Sequence, residues 1–202
     1  MQPAGTRLPT EARRAEIVAA AVRLAQERSP EAITTTDLAS AVGLSQGALF
    51  KHFPSKEAVW LAVMAWVAEH LLRSLNEAAQ QAATPLDALR SVFDAHVEFV
   101  VTFPGVPRLI FHELQQPLDS PVKRQTRDLL QGYRQLLLRL LQAAVQRGDV
   151  PADLDAPAAA TLFVGIVQGL VMQSMLSGQI STMRVEAPRI FHLYLRGIRP
   201  LP

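Results

Sequence analysis

Apolar residues recur at intervals of three and four in every long segment of the chain, and this helical period is what most constrains the fold. No long segment alternates apolar and polar residues as a half-buried strand does. Glycine and proline lie between the periodic segments, where they end helices. The sequence therefore predicts an all-α protein of about nine helices.

The ends of the helices are indicated by capping residues. Thr10, Ser45 and Ser55 each offer a side-chain oxygen as an N-cap, and Thr34 with Asp37 forms a capping-box pattern. Glycine and proline give the ends, with Ser29-Pro30 stopping the first helix. The predicted helices cover about residues 10–28, 34–42, 46–53, 55–82, 85–102, 108–115, 121–147, 156–177 and 185–196.

Composition narrows the class of protein. The 202 residues are 49% apolar and 19% charged, which provides core material and argues against disorder. Cysteine is absent, so disulfides, thiol catalysis and cysteine-ligated metals are excluded, and a reducing cytoplasm fits. The net charge of +2 gives no general attraction to nucleic acid, so any polyanion site must be local.

The pattern predicts two domains after a short flexible arm. The arm covers residues 1–9, a small helical domain covers 10–54, and a larger one covers 55–202. No apolar run of a secretory signal follows Arg7. The uncharged stretch from Asp155 to Arg184 is long enough for a membrane span, but polar residues interrupt it and no second such segment is evident. We therefore predict a buried helix there and no membrane partner.

Residues 34–53 carry the most informative motif. Two short helices meet around Gly43-Leu44, and Leu38, Leu44 and Leu49 are placed to pack together. This is the helix-turn-helix pattern, in which the second helix enters the DNA major groove. Lys51 and Lys56, two of only three lysines in the chain, lie beside it. A local anion-binding surface is therefore expected here.

The outward residues of the second helix suit base and phosphate contacts. The Gln46 amide matches adenine, the Ala48 methyl matches the thymine methyl, and Gly47 indicates close approach of the backbone. Phe50 and Phe53 are predicted to be core residues rather than stacking surfaces. The predicted DNA contacts are Thr34, Thr35, Thr36, Ser45, Gln46, Gly47, Ala48, Lys51, His52 and Lys56.

Together these segments resemble the DNA-binding domain of the TetR family. The resemblance rests on Ile33–Ala39, Gly43–Ser45 and Ala48–Glu57 and covers about residues 10–60. It implies a ligand-released transcriptional repressor with a C-terminal ligand-binding and dimerisation domain. It also implies that Ser45, Gln46, Ala48 and Lys51 belong to the DNA recognition helix. Contacts to the DNA backbone are implied for Thr35, Thr36, His52 and Lys56. The family often has a tyrosine where this chain has Phe50, which lacks the hydroxyl for a phosphate contact.

The uncharged helix predicts a dimer interface. Gly165 and Gly169 leave one face free of side chains, so another helix can approach closely. With the last helix it would form an intersubunit four-helix bundle, and a two-fold dimer implies a palindromic operator about one DNA turn between half-site centres. The predicted interface residues are Gly165, Gly169, Met172, Ile190, Phe191 and Tyr194.

A ligand pocket is predicted among the central helices, with an unknown small molecule as effector. Apolar walls with a few polar groups suit such a pocket. The predicted ligand residues are Trp66, His70, His96, Phe99, Phe103, His112, Tyr133, Gln168 and Met172.

The sequence predicts no cofactor, metal or catalytic residue. His112-Glu113-Leu114-Gln115-Gln116 lacks the second histidine of the HExxH zinc motif. Phosphate-binding glycine loops and nucleophile elbows are absent as well. Two other classes stay open at this point: a helical ligand-binding or interaction module without DNA binding, and an enzyme of unknown substrate.

Overall fold

The computed structural model describes residues 9–199, and within this range it contains nine α-helices, one 3₁₀ turn and no β-strand. The all-α prediction is confirmed. The helices are α1 (Thr10–Glu27), α2 (Thr35–Ser40), α3 (Gln46–Phe50), α4 (Lys56–Gln80), α5 (Pro85–Thr102), α6 (Gly105–Gln115), α7 (Pro121–Arg147), α8 (Ala156–Ser177) and α9 (Met183–Ile198), with the 3₁₀ turn at Ile180–Thr182. The predicted arm at residues 1–9 lies outside the described residues except for Pro9.

Most helix starts follow from their capping side chains. Thr34 caps α2, Ser45 caps α3 and Thr84 caps α5, each accepting a backbone N–H three residues on. The prediction for Thr10 was wrong, because Pro9 holds the cap position and makes no side-chain bond. Helix α6 begins at Gly105, three residues earlier than predicted, because its first turn accommodates Pro107.

Contacts divide the chain into two compact units, and the division differs from the predicted boundary after Pro54. Among the described residues, unit 1 contains residues 9–67 together with Gly105–Gln125, whereas unit 2 contains Ala68–Pro104 and residues 126–199. Helix α6 joins unit 1 because it packs against α1. The helices α4 and α7 each contribute residues to both units.

The core of unit 1 forms beneath the short helices. Ile17, Leu38, Leu49 and Phe53 are each no more than 1% exposed. Burial of one such side chain stabilises the fold by roughly 1.5–3 kcal/mol. Because α2 and α3 have only six and five residues, this burial and their caps hold them in place.

Unit 2 contains an aromatic cluster between α5, α8 and α9. Phe93 packs against Phe163 and Phe191 with ring centroids 5.4 and 4.9 Å apart, and Tyr194 stacks edge-on against Phe163 at 5.4 Å. The Tyr194 hydroxyl donates to the Ala159 carbonyl. Placing Phe191 and Tyr194 at a dimer interface was therefore wrong, since both are buried in their own chain.

Two helices, α4 and α8, are long and apolar enough to span a bilayer by length and composition alone. The sequence pattern had singled out α8 only, so the absence of a second such segment was a wrong prediction. Core helices of water-soluble proteins also meet this criterion. The inward positions of both helices are filled by their own chain, with Val63, Met64 and Val67 of α4 and Phe163 and Val167 of α8 buried.

The approach of α6 to α1 depends on one glycine. A Cβ added at Gly105 would lie 2.6 Å from the Val22 carbonyl oxygen and 2.9 Å from two further backbone atoms of α1. We expect Gly105→Ala to lower the free energy of unfolding by about 1–3 kcal/mol, measured by urea denaturation. Gly197→Ala on α9 is the control, because its Cβ meets nothing within 4 Å. Equal effects of the two substitutions would contradict this packing.

Candidate nucleic-acid interface

The turn between α2 and α3 is shaped by Gly43. Its φ of +66° lies in the left-handed region that favours glycine, and the Leu44 N–H donates to the Ala39 carbonyl at 2.9 Å. Leu38, Ala39 and Leu49 are buried beneath the turn. The predicted helix-turn-helix is therefore present, with its apolar side packed into the core of unit 1.

The start of α2 is fixed by a reciprocal capping box. The Asp37 N–H donates to Thr34 Oγ1 at 3.1 Å, and the Thr34 N–H donates to the Asp37 carboxylate at 2.7 Å. The Thr34 hydroxyl also donates to this carboxylate at 2.7 Å. The two bonds that Thr34 donates, with the Arg28 guanidinium 3.3 Å away, lower the pKa of Asp37 below its usual value. Asp37 thus remains an acceptor that holds the first turn of α2.

The outward face of α3 is exposed as predicted. Ser45, Gln46, Gly47 and Lys51 are exposed, whereas Ala48 and His52 are partly buried. Gln46 also bonds back to its own chain, because its Nε2 donates to Thr35 Oγ1 at 2.6 Å. The face therefore combines a glutamine amide, a small backbone-exposing residue and a lysine, which is the chemistry that major-groove edges require.

Phe50 and Phe53 occupy different environments. Phe53 is 1% exposed and belongs to the core, as predicted. Phe50 is 44% exposed on α3, so its assignment to the core was wrong. Because α3 is held through Leu49 and Phe53, the side chain between them in helical register points outward. An apolar ring therefore adjoins the polar face.

Arg14 on α1 holds the residues that follow the end of α3. Arg14 was assigned no role from the sequence. Its guanidinium donates to the His52 carbonyl and lies 4.2 Å from the centroid of the Phe53 ring. A cation suits this position, since carbonyls at a helix C-terminus carry partial negative charge. Arg14 and His52 are 38 positions apart in the sequence, so no local sequence pattern marks the contact.

Lys56, a predicted phosphate contact, is partly buried and bonded to its own chain. Its ammonium donates to the Glu31 carbonyl at 2.9 Å. Partial burial lowers the pKa of Lys56, opposed by the nearby carboxylates of Glu31 and Asp37. Lys56 thus ties the start of α4 to the segment after α1 and keeps two further N–H groups for a partner.

No neighbouring atom of its own chain requires residue 47 to be a glycine. A Cβ built there would meet nothing within 4 Å, and its φ lies outside the left-handed range. A glycine in a helix costs about 0.5–1 kcal/mol relative to alanine. The packing of the chain does not explain this cost, which favours the interpretation that something outside the chain approaches the backbone here.

The predicted ligand residues are only partly brought together. His70, Phe99 and Phe103 line one open groove of unit 2, with a volume of about 320 Å³, beside Glu98 and Thr102. His112 lies in unit 1, where it lines a separate pocket of about 240 Å³ with Trp60. Gln168 and Met172 are exposed on α8. Trp66 is partly buried and belongs to unit 1.

His96 and Tyr133 form a polar pair next to the aromatic cluster. His96 Nδ1 lies 3.1 Å from the Tyr133 hydroxyl, and the Tyr133 ring is 6.3 Å from Phe163 by centroid. Burial lowers the pKa of His96 to about 4 and raises the pKa of Tyr133 well above its usual value. Both groups are therefore neutral at pH 7. Elsewhere in residues 9–199, no cluster of three or more histidines and carboxylates could hold a metal ion.

A helix-turn-helix with an exposed polar second helix, joined in one chain to a larger all-helical unit, defines a DNA-binding transcriptional regulator. Known families agree. Residues 17–63 match the family described as "Bacterial regulatory proteins, tetR family", and residues 115–187 match the "Tetracyclin repressor-like, C-terminal domain". The chain belongs to the TetR family. It is accordingly a regulator and not an enzyme.

Curated relatives include nucleoid occlusion factors named SlmA. The protein from Idiomarina loihiensis is 23% identical over 161 residues, which is 80% of this chain and 82% of that one. The protein from Glaesserella parasuis is 29% identical over 146 residues, 72% of each chain.

Solved structures share the fold. FadR from Bacillus subtilis in complex with stearoyl-CoA superposes with a TM-score of 0.78 at 19% identity, covering 92% of this chain and 99% of that one. PfmR from Thermus thermophilus superposes with a TM-score of 0.78 at 23% identity, covering 96% and 100%. At these identities the likeness establishes the architecture alone.

The His96 environment predicts an acid-linked loss of stability. The folded protein holds His96 neutral down to about pH 4, whereas the unfolded chain takes up the proton near pH 6.5. Protonation of His96 therefore does not affect the free energy of unfolding above pH 6.5. As the pH falls towards 4, it lowers this free energy by at most about 3 kcal/mol. Urea denaturation at pH 7 and 4.5 should show that His96→Gln reduces this loss.

Tyr133→Phe serves as its control. That variant removes the hydrogen bond but leaves the buried imidazole, so the acid-linked loss should persist. If His96→Gln retains the full loss, burial of His96 is not its source.

Gly47 provides a second prediction. Gly47→Ala should raise the free energy of unfolding by about 0.5–1 kcal/mol, because the methyl enters open space in the free protein. It should nevertheless weaken DNA binding roughly tenfold, since a methyl in a close contact costs about 1–3 kcal/mol. Fluorescence anisotropy on labelled DNA measures the affinity, with Gly197→Ala as control. Unchanged affinity would exclude close backbone approach at this position.

Proposed function

We propose that this regulator is a homodimeric repressor that binds a palindromic operator and is released by a small, largely apolar ligand. The observation that supports the proposal most is an uncovered apolar stripe on α8. Leu162, Gly165, Gly169, Met172 and Leu176 follow one another at alternating intervals of three and four, and all five are exposed.

The stripe has the spacing of a helix that packs against another helix along its length. Leu176 is 75% exposed and Leu162 is 53% exposed, in a helix without any charged residue. The opposite side of α8, with Phe163 and Val167, is already buried in unit 2. An exposed apolar surface of this kind indicates a partner. The glycines admit a second helix without a side-chain clash.

Residues of α9 extend the same surface. Val185 is 68% exposed and Leu193 is 64% exposed, and Ile190 is partly buried. These residues replace Phe191 and Tyr194 in the proposed interface. A closed two-fold dimer uses the same surface on both subunits. It would present two recognition helices to two half-sites one DNA turn apart, about 34 Å, which requires a palindromic operator.

Base reading is assigned to the outward residues of α3. Ser45, Gln46, Ala48 and Lys51 would meet base edges, and Gly47 would allow the close approach. Contacts to the DNA backbone are assigned to the residues at the start of α2 and to those around the start of α4. These contacts comprise Thr34, Thr35, Thr36, His52 and Lys56.

The effector is assigned to unit 2. The groove at Phe99 and Phe103 offers aromatic walls with polar groups at its edge. FadR from Bacillus subtilis was solved with stearoyl-CoA, which carries a long apolar acyl chain and supports a ligand that is apolar over much of its length. Because α4 and α7 each run through both units, ligand binding would reach the DNA contacts through continuous helices. A coupling of about 1–3 kcal/mol suffices for release. The regulator would act in the cytoplasm, where the operator lies.

The decisive experiment combines oligomeric state with operator symmetry. DNA selected by the wild-type protein from a random pool should contain two inverted half-sites. Met172→Glu places two charges against each other in the proposed interface, so it should give monomers in sedimentation equilibrium and bind the selected site at least tenfold more weakly. Wild-type affinity should also fall steeply as salt rises.

Leu118→Glu is the matched control, because Leu118 is 79% exposed outside the stripe. It should remain dimeric and keep the wild-type affinity. A dimeric Met172→Glu variant, or a selected site without symmetry, would overturn the proposed dimer. A salt-independent affinity would overturn the proposed DNA contacts.

A further inference from the structure

The hydrogen bond between Gln46 and Thr35 leads to an inference about specificity, which rests on the proposed base-reading role of Gln46. Gln46 Nε2 donates to Thr35 Oγ1 at 2.6 Å across the turn. Thr35 is the first residue of α2 and Gln46 is the first residue of α3. The bond is therefore a side-chain link between the two helices of the motif.

A glutamine amide has four hydrogen-bonding positions, two N–H groups and two lone pairs on its oxygen. Recognition of adenine uses one N–H, which donates to N7, and the oxygen, which accepts from the N6 amino group. The bond to Thr35 uses one N–H, so one N–H and the oxygen are left for a base. The amide can thus bond Thr35 and adenine at the same time.

The link also selects the orientation of the amide. Thr35 Oγ1 accepts from Nε2 in the structure, and when the hydroxyl donates its own proton to a phosphate it can only accept from the amide, which keeps Nε2 beside Thr35. An unrestrained glutamine loses side-chain entropy when it binds a base, and a restrained one loses less. A fixed amide also presents its donor and its acceptor at set positions, so a base edge with a different pattern leaves a polar group unpaired.

We propose that Thr35 is a positioning residue that sets the base preference of Gln46, rather than only a phosphate contact. Its hydroxyl accepts from the amide and keeps its own proton for donation to a phosphate. Its neighbour Thr36 is exposed and provides a comparison. A hydroxyl that contacts only the DNA backbone carries no information about the base sequence.

The test measures the affinity of the full-length protein for the selected operator and for its three variants at the base pair that Gln46→Ala identifies, four sequences in all. Thr35→Val keeps the shape and removes the acceptor. It should reduce the preference for the best base pair by roughly 2- to 12-fold, the worth of one neutral hydrogen bond. Thr35→Ser should restore the preference. Thr36→Val should weaken binding to all four sequences equally.

A second readout does not involve DNA. The two Nε2 protons of Gln46 give separate NMR signals, and Thr35→Val should shift them whereas Thr36→Val should not. In the Gln46→Ala background, Thr35→Val should cause no further loss of base preference, because the two residues act as a unit. Thermal unfolding of each variant verifies that the fold is kept.

The failures are distinguishable. If Gln46→Ala changes affinity for all four sequences equally, the base-reading role in the proposed function is wrong. If Gln46→Ala relaxes one base pair while Thr35→Val weakens all sequences equally, the proposed function stands and the positioning role of Thr35 is overturned. A loss of preference in Thr35→Val that persists in the Gln46→Ala background also overturns it.

Discussion

The base contacts assigned to α3 depend on the burial of Leu49 and Phe53. Helix α3 has only five residues, and a helix of that length is unstable in isolation because nucleation costs more than its few hydrogen bonds return. Both side chains are 1% exposed, the Ser45 hydroxyl caps the start of the helix, and Arg14 holds the segment that follows its end. The exposed polar face exists because the opposite face is fully packed.

Helix α8 shows the same division of roles on a larger scale. One side supplies Phe163 to the aromatic cluster, and the other leaves Met172 and Leu176 uncovered. A charged residue on the uncovered side would keep a single chain more soluble, yet none is present along the helix. The absence of charge is best explained by a surface that is covered when the protein functions.

Much of the fold could be predicted from the sequence because helices carry local signals. Period, proline, glycine and capping side chains marked nearly every helix, and the predicted α3 core residue Leu49 was correct. The division into units was not predictable in this way. Helix α6 joins α1 through Gly105, and a contact between residues some eighty positions apart leaves no local periodicity.

The site was predictable where chemistry follows from residue type and not where it depends on packing. The exposed Gln46 and Lys51 were identified correctly, but the links of Arg14 to His52 and of Gln46 to Thr35 connect separate helices and have no sequence signature. Helix α9 has large apolar residues on both its buried and its exposed side, with Phe191 and Tyr194 buried and Leu193 exposed. Its period therefore could not indicate which residues would face a second chain.

The composition of unit 1 from two separate stretches bears on how such a regulator can evolve. A gene fragment that ends near Val67 would encode α1 to α3 without α6, and the surface of α1 that receives Gly105 would be left uncovered. Transfer of that contiguous stretch alone would therefore move the helix-turn-helix without part of its packing. Substitutions on the exposed face of α3 leave this packing unchanged, so they alter the DNA contacts without disturbing the scaffold.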